Sequence, residues 1–127
     1  MKLGIAVLFV SGLVLTACDL QPVEEHQIAR LPAPGGAVTA VVKSRNCGAT
    51  CSMAYAVYLG SEKPGDEIFL VDKSDPPRLR WQDKEHLIIS VPCGRIFKFT
   101  NFADIPTRQD QYDTIQIRLE NDRVACS

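Results

Sequence analysis

Tyr112-Asp113-Thr114-Ile115-Gln116-Ile117-Arg118-Leu119 is the stretch that decides the fold class. Ile115, Ile117 and Leu119 alternate with Gln116 and Arg118. A period of two places apolar side chains on one face of an extended strand and polar ones on the other, whereas a helix would scatter them around its circumference. Upstream, the pattern recurs. Arg95–Phe99 alternates, with Ile96 and Lys98 on one face and Arg95, Phe97 and Phe99 on the other. Leu79-Arg80-Trp81 and Leu87–Val91 flank the polar run Gln82–His86, which reads as a hairpin connection. Ile68–Val71 is a short apolar run, and Met53–Leu59 sets Tyr55, Val57 and Leu59 against Ala54, Ala56 and Tyr58. Ala37–Lys43, with valines at 38, 41 and 42, completes the set.

The expectation is a mainly β fold: roughly seven short strands forming a small antiparallel sheet, sandwich or barrel. Trp81 and Leu87–Ile89 should share one hairpin that packs on the remaining strands. Asp75-Pro76-Pro77 should be a loop, since proline cannot donate to a central ladder. Asn101–Gln111 is the one stretch read as able to host a helical turn, and Pro106 limits its length.

The N-terminus carries an address. Lys2 precedes an almost uncharged apolar run, Leu3 to Leu15, which ends in Leu15-Thr16-Ala17-Cys18. A basic end, an apolar stretch and a small-residue site follow the order of a secretory signal. The run is too short for a spanning helix, which needs about 20 residues. Leu15–Cys18 resembles the lipobox of bacterial lipoproteins, which implies diacylation of the Cys18 thiol and cleavage before it. Residues 1–17 are then a signal peptide, and the partner is a membrane reached through covalent lipid. Asp19 resembles the inner-membrane retention signal of enterobacterial lipoproteins and tilts the location toward the periplasmic face of the inner membrane. Residues 18–36, with Pro22, Pro32, Pro34, Gly35 and Gly36, read as a Pro/Gly-rich tether, in which His26, Ile28 and Leu31 could instead lie against the domain as a short segment. Residues 37–127 read as a single β domain.

Within that domain, Cys47-Gly48-Ala49-Thr50, Ile68–Asp72, Leu79–Trp81 with Leu87–Ser90, and Arg95–Lys98 resemble a family of small bacterial envelope proteins to which no activity is assigned. Cys51 departs from the pattern, where a threonine is expected. The resemblance implies one compact β domain and no particular mechanism.

Composition narrows the function classes. The chain has 14 basic and 15 acidic side chains, a net charge of −1, with no block of either sign. That balance argues against nucleic acid as a partner and against a polybasic lipid-surface role, either of which needs clustered positive charge. Of five cysteines, the lipid takes Cys18 and leaves an even set, Cys47, Cys51, Cys93 and Cys126. Exported cysteines usually pair. Cys93–Cys126 is the favoured link, worth roughly 3–4 kcal/mol by chain entropy, with Cys47–Cys51 closing a short ring worth roughly 2 kcal/mol. Crossed pairings of Cys47 with Cys93 or Cys126 remain open. Redox use of Cys47/Cys51 is the alternative to a structural role, although the spacing is one residue longer than the Cys-x-x-Cys of dithiol oxidoreductases.

No catalytic constellation emerges. His26 and His86 are the only histidines, without metal-ligand spacing, and no nucleophile elbow or phosphate loop is present. His86 reads as a turn residue pairing with Glu85 or Asp83. Asp104, Asp110 and Asp113 lack the spacing of a calcium loop and read as a solvated acidic loop. Tyr55 and Tyr58, three apart on a strand, must point to opposite faces, and whichever points outward is a candidate binding residue. The expectation is a lipid-anchored envelope protein without cofactor or metal. It would act as a non-catalytic module on an envelope protein or cell-wall component, or serve a structural role.

Overall fold

The computed structural model describes residues 24–46, 48, 52–61, 65–108 and 110–121. These residues form nine strands and no helix. They are β1 (Glu24–Pro32), β2 (Thr39–Asn46), β3 (Ala54–Gly60), β4 (Asp66–Asp72), β5 (Arg78–Asp83), β6 (His86–Ser90), β7 (Arg95–Phe99), β8 (Phe102–Arg108) and β9 (Gln111–Glu120). One sheet has the order β1-β2-β3-β4-β7 and the other β5-β6-β9-β8. The architecture is an open sandwich, not a closed barrel.

Alternation builds the core. Ala40 and Val42 of β2, Val57 and Leu59 of β3, and Phe69 and Val71 of β4 face Leu87 and Ile89 of β6, Ile105 of β8, and Ile115 and Ile117 of β9. Phe69 is the largest fully buried side chain; burying a residue of that size stabilises by about 1.5–3 kcal/mol. Trp81 and Leu87 are directly paired across the β5–β6 hairpin. The Trp81 ring packs against the core, and its Nε1 donates to the Leu31 carbonyl of β1 at 2.9 Å. This bond joins the two sheets along one edge.

Four sequence expectations need correction. Residues 24–32, read as tether, form β1. Main-chain pairing with β2 over nearly its whole length accounts for this, and the strand needs little core because Glu24–Arg30 are all exposed. The prolines fit as well: Pro32 ends an edge strand, and Pro34-Gly35 sit in the turn that follows, with Gly35 at φ +61°. Asn101–Gln111 is not helical; residues 102–108 are β8, where Pro106 is tolerated because β8 is an edge. The sheets are not wholly antiparallel, since β6 and β9 run parallel. Lastly, β7 does not alternate cleanly. Lys98 is opposite Leu70 and Ile96 opposite Val71, so Phe97 is the extra residue of a bulge. Ile96 packs on the core and Phe99 meets Phe69 edge-to-face, with ring centroids 6.5 Å apart.

Candidate functional site

Tyr58 faces outward from β3, while Tyr55 packs against the core. Around Tyr58 the outer face of the first sheet gathers a charged cluster from four strands. Arg45 Nη2 donates to the Tyr58 hydroxyl and to Glu67 Oε2, and Arg45 Nε donates to Glu25 Oε1 at 2.8 Å. The Tyr58 hydroxyl in turn donates to Glu25 Oε1 at 3.3 Å. Lys43 Nζ stands 4.9 Å from the Tyr58 ring centroid, a cation–π distance. Ala54 and Ala56 make this possible. Opposite Arg45 and Lys43 in the ladder, they leave room for both long side chains to lie across β3, and Ala56 is fully covered.

Electrostatics make the cluster a clamp. Burial pushes the Tyr58 phenol above its ordinary pKa, with the Glu25 and Glu67 charges adding to the rise and Arg45 opposing it. Burial also works against the charge of Arg45, but the hydrogen bonds it donates to Glu67, Glu25 and Tyr58 raise its pKa above the ordinary value. Burial would raise Glu25 too, yet Arg45 and then Tyr58 and Lys43 hold it below the usual carboxylate range. Near neutral pH the phenol keeps its proton, the guanidinium keeps its charge and Glu25 stays ionised. Nothing in that set exchanges a proton there. Glu25, Lys43, Arg45 and Glu67 had no signal in the sequence beyond the small alanines opposite two of them.

A second pair ties β4 to β7. Asp72 is buried, and Arg95 grips it with two bonds, Nε to Oδ1 at 3.0 Å and Nη2 to Oδ2 at 2.7 Å. The Arg95 bonds hold the Asp72 carboxyl below its ordinary range, and Asp72 raises Arg95 in return. His86 Nδ1 lies 2.7 Å from Asp83 Oδ1, which also accepts the Glu85 backbone N–H at 2.8 Å, so Asp83 organises the β5–β6 turn. That backbone bond and then His86 lower the Asp83 pKa. His26 lies on β1, 3.9 Å from Glu24. Thr114 Oγ1 donates to Asp104 across β8–β9, Asp110 sits in the connecting turn with φ +59°, and Asp113 is opposite Ile105. Among the described residues no three His, Cys, Asp or Glu side chains are grouped as a metal site.

Cys93 is half-buried between β6 and β7. It shares a surface cavity of about 430 Å³ with Ser52, Met53, Lys73, Ser74, Asp75 and Pro92. Cys18, Cys47, Cys51 and Cys126 lie outside the described residues, and so do the expected disulfides. The residues flanking them are informative. In the ladder, Arg45 is opposite Ala54, Ala54 opposite Asp72, and Asp72 opposite Arg95. The Val91 N–H donates to the Glu120 carbonyl at 3.0 Å. The end of β2, the start of β3, the β6–β7 turn and the end of β9 therefore share one end of the sandwich. Cys47 and Cys51 each adjoin that end in sequence, and Cys126 follows Glu120 by six positions. Compared with protein-family models, curated proteins and solved structures, the chain gives no match to any.

Proposed function

We propose that this chain is a bacterial envelope lipoprotein whose mature form begins at an acylated Cys18 and carries a non-catalytic β-sandwich that binds an envelope protein or cell-wall component or serves a structural role. The observation that carries the reading is Leu15-Thr16-Ala17-Cys18 at the end of the apolar run Leu3–Leu15, and the fold is compatible with it, since β1 is already formed at Glu24, six positions after Cys18. Glu24 lies at the exposed end of an edge strand, so a lipid attached just upstream meets no steric conflict with the core. Six residue steps span at most about 20 Å, so the sandwich is held close to the bilayer. That geometry replaces the long tether inferred from proline and glycine content. The self-paired charges around Tyr58 suit a rigid binding or structural face better than acid–base chemistry.

Fractionation tests the proposal. Wild-type protein should sediment with membranes and leave them only in detergent, because stable anchoring needs more than one acyl chain. Cys18→Ser should appear in the soluble envelope fraction or as an uncleaved precursor. Processed Cys18→Ser protein that stays membrane-bound as wild type does would overturn the reading.

A further inference from the structure

Strand β1 is joined to the sandwich without being part of its core. Glu24–Arg30 are all exposed and Leu31 is half-buried, and among the described residues no β1 side chain belongs to the core cluster or packs against it. Burial begins just after the strand, at Ala33, and resumes at Val38. The turn between them is closed by its own backbone bonds, from the Ala33 N–H to the Val38 carbonyl at 2.9 Å and from the Gly36 N–H to the Ala33 carbonyl at 3.3 Å. β1 itself is held by its ladder to β2, by the Ser44 hydroxyl on the His26 carbonyl at 3.4 Å, and by a clip at each end. At its start, Glu25 accepts from Arg45 and Tyr58, with Lys43 Nζ 3.9 Å away. At its far end, the Leu31 carbonyl accepts from Trp81. Without β1 each sheet keeps four strands, β2-β3-β4-β7 over β5-β6-β9-β8, and the core keeps every member.

We propose that β1 is a releasable spacer: it detaches from β2 while the sandwich stays folded, and so moves the membrane attachment from one end of the domain to the other. The inference rests on the lipoprotein reading above for the membrane, and on the fold alone for the release. Elements with few buried apolar contacts open well below the free energy of global unfolding. The main-chain bonds of an exposed strand contribute little net, because water replaces them. Glu25 leaves the Tyr58 cluster on release, but Arg45 keeps its bonds to Glu67 and the Tyr58 hydroxyl. The β2 edge then uncovered carries Lys43 and Arg45, charges that oppose pairing with a further strand. With β1 docked, six residue steps separate Cys18 from Glu24, at most about 20 Å. With β1 released, fifteen steps separate Cys18 from Ala33, at most about 50 Å, and the chain enters the domain at the opposite end of the sandwich.

Amide exchange of the mature protein in rising, sub-denaturing urea reads the release and needs no membrane. Amides of β1, and those of β2 that bond to them, should exchange roughly tenfold or more faster than those of β6 and β9, with a weaker dependence on urea. Exchange of β1 at the β6 and β9 rates, with the same urea dependence, means that it opens only by global unfolding and overturns the proposal. Arg30→Pro tests it from the other side. Because Leu31 turns its carbonyl to Trp81, alternation turns the main chain of Arg30 toward Val41 of β2. Proline there removes a ladder bond and touches no buried side chain. The variant should lose protection in β1 while the sandwich melts close to wild type; unfolding of the whole domain overturns the proposal. Neutron reflectometry of the acylated protein on a supported bilayer reads the reach. The protein layer should extend further from the lipid in Arg30→Pro, and an unchanged layer overturns the spacer role. A chain without lipid on Cys18 would fail the fractionation above and leave the exchange result standing, so the two failures are distinct.

Discussion

Trp81 should be the residue that holds the first strand to the second sheet, and two substitutions separate its contributions. Its Nε1–H bonds the Leu31 carbonyl, and its ring packs against the core beside Leu87. Trp81→Phe keeps most of the packing and removes the donor, which should cost about 1 kcal/mol, a fall of roughly 4–8 °C in Tm for a domain this small. Trp81→Ala also removes the ring. Full burial would make that about 3–5 kcal/mol, and partial exposure of Trp81 brings it to about 2–4 kcal/mol, a large share of the roughly 5–15 kcal/mol of a typical domain. Urea unfolding should be followed by far-UV circular dichroism, since Trp81 is the only tryptophan and its fluorescence vanishes with it. Amide exchange adds location. In Trp81→Phe, the amides of β1 and its partner strand β2 should lose protection before those of β6 and β9. A Trp81→Ala protein as stable as wild type, or exchange accelerated evenly through both sheets, would refute the bridging role.

Asp72→Asn should lower stability at neutral pH and flatten its acid dependence. Because the folded Asp72 pKa lies below the ordinary carboxylate value, its contribution is complete above about pH 5 and is lost as pH falls through the folded value; urea midpoints between pH 7 and pH 2 check the slope. Gly94→Ala should destabilise by about 1–3 kcal/mol, because Gly94 has φ +150° and a Cβ there would sit 2.6 Å from Ser74 Cβ and 2.7 Å from Val71 Cγ2; a wild-type-like melting curve would contradict this. Non-reducing peptide mapping should link Cys93 to Cys126, since Val91 and Glu120 are bonded where β6 and β9 leave their sheet side by side. A Cys47–Cys93 or Cys47–Cys126 link would contradict it, and a Cys47/Cys51 pair that reduces readily under mild thiol would favour the redox alternative.

Much of the fold was legible because half-buried strands announce themselves by alternation. Gln111–Glu120 and Arg78–Asp83 are visible in this way, since Ile115, Ile117 and Trp81 each meet the core from a strand with one wet face, whereas His86–Ser90 shows as a short apolar run whose Leu87, Ile88 and Ile89 are all buried. β1 was hidden because it buries almost nothing. Glu24–Arg30 lack a hydrophobic face, and the strand exists through main-chain bonds to β2, which leave no trace in side-chain pattern. β8 was obscured by Pro106, whose meaning depends on whether a strand is central or at an edge. Within β7, Phe97 disturbs the period by a bulge that only pairing with β4 reveals. That one of Tyr55 and Tyr58 points outward was legible from their spacing, and the fold shows that it is Tyr58. The Glu25–Arg45–Glu67 clamp around it was not, because its members come from three strands whose register is a property of the folded sheet.

The covalent state of Cys18 tests the central claim most directly. Mass spectrometry of the N-terminal peptide, prepared from detergent-extracted membranes of cells expressing the full chain, should find a mature chain that begins at Cys18 with a diacylglyceryl group on its sulfur. A mature chain that begins elsewhere, or begins at Cys18 with an unmodified thiol, would contradict the account.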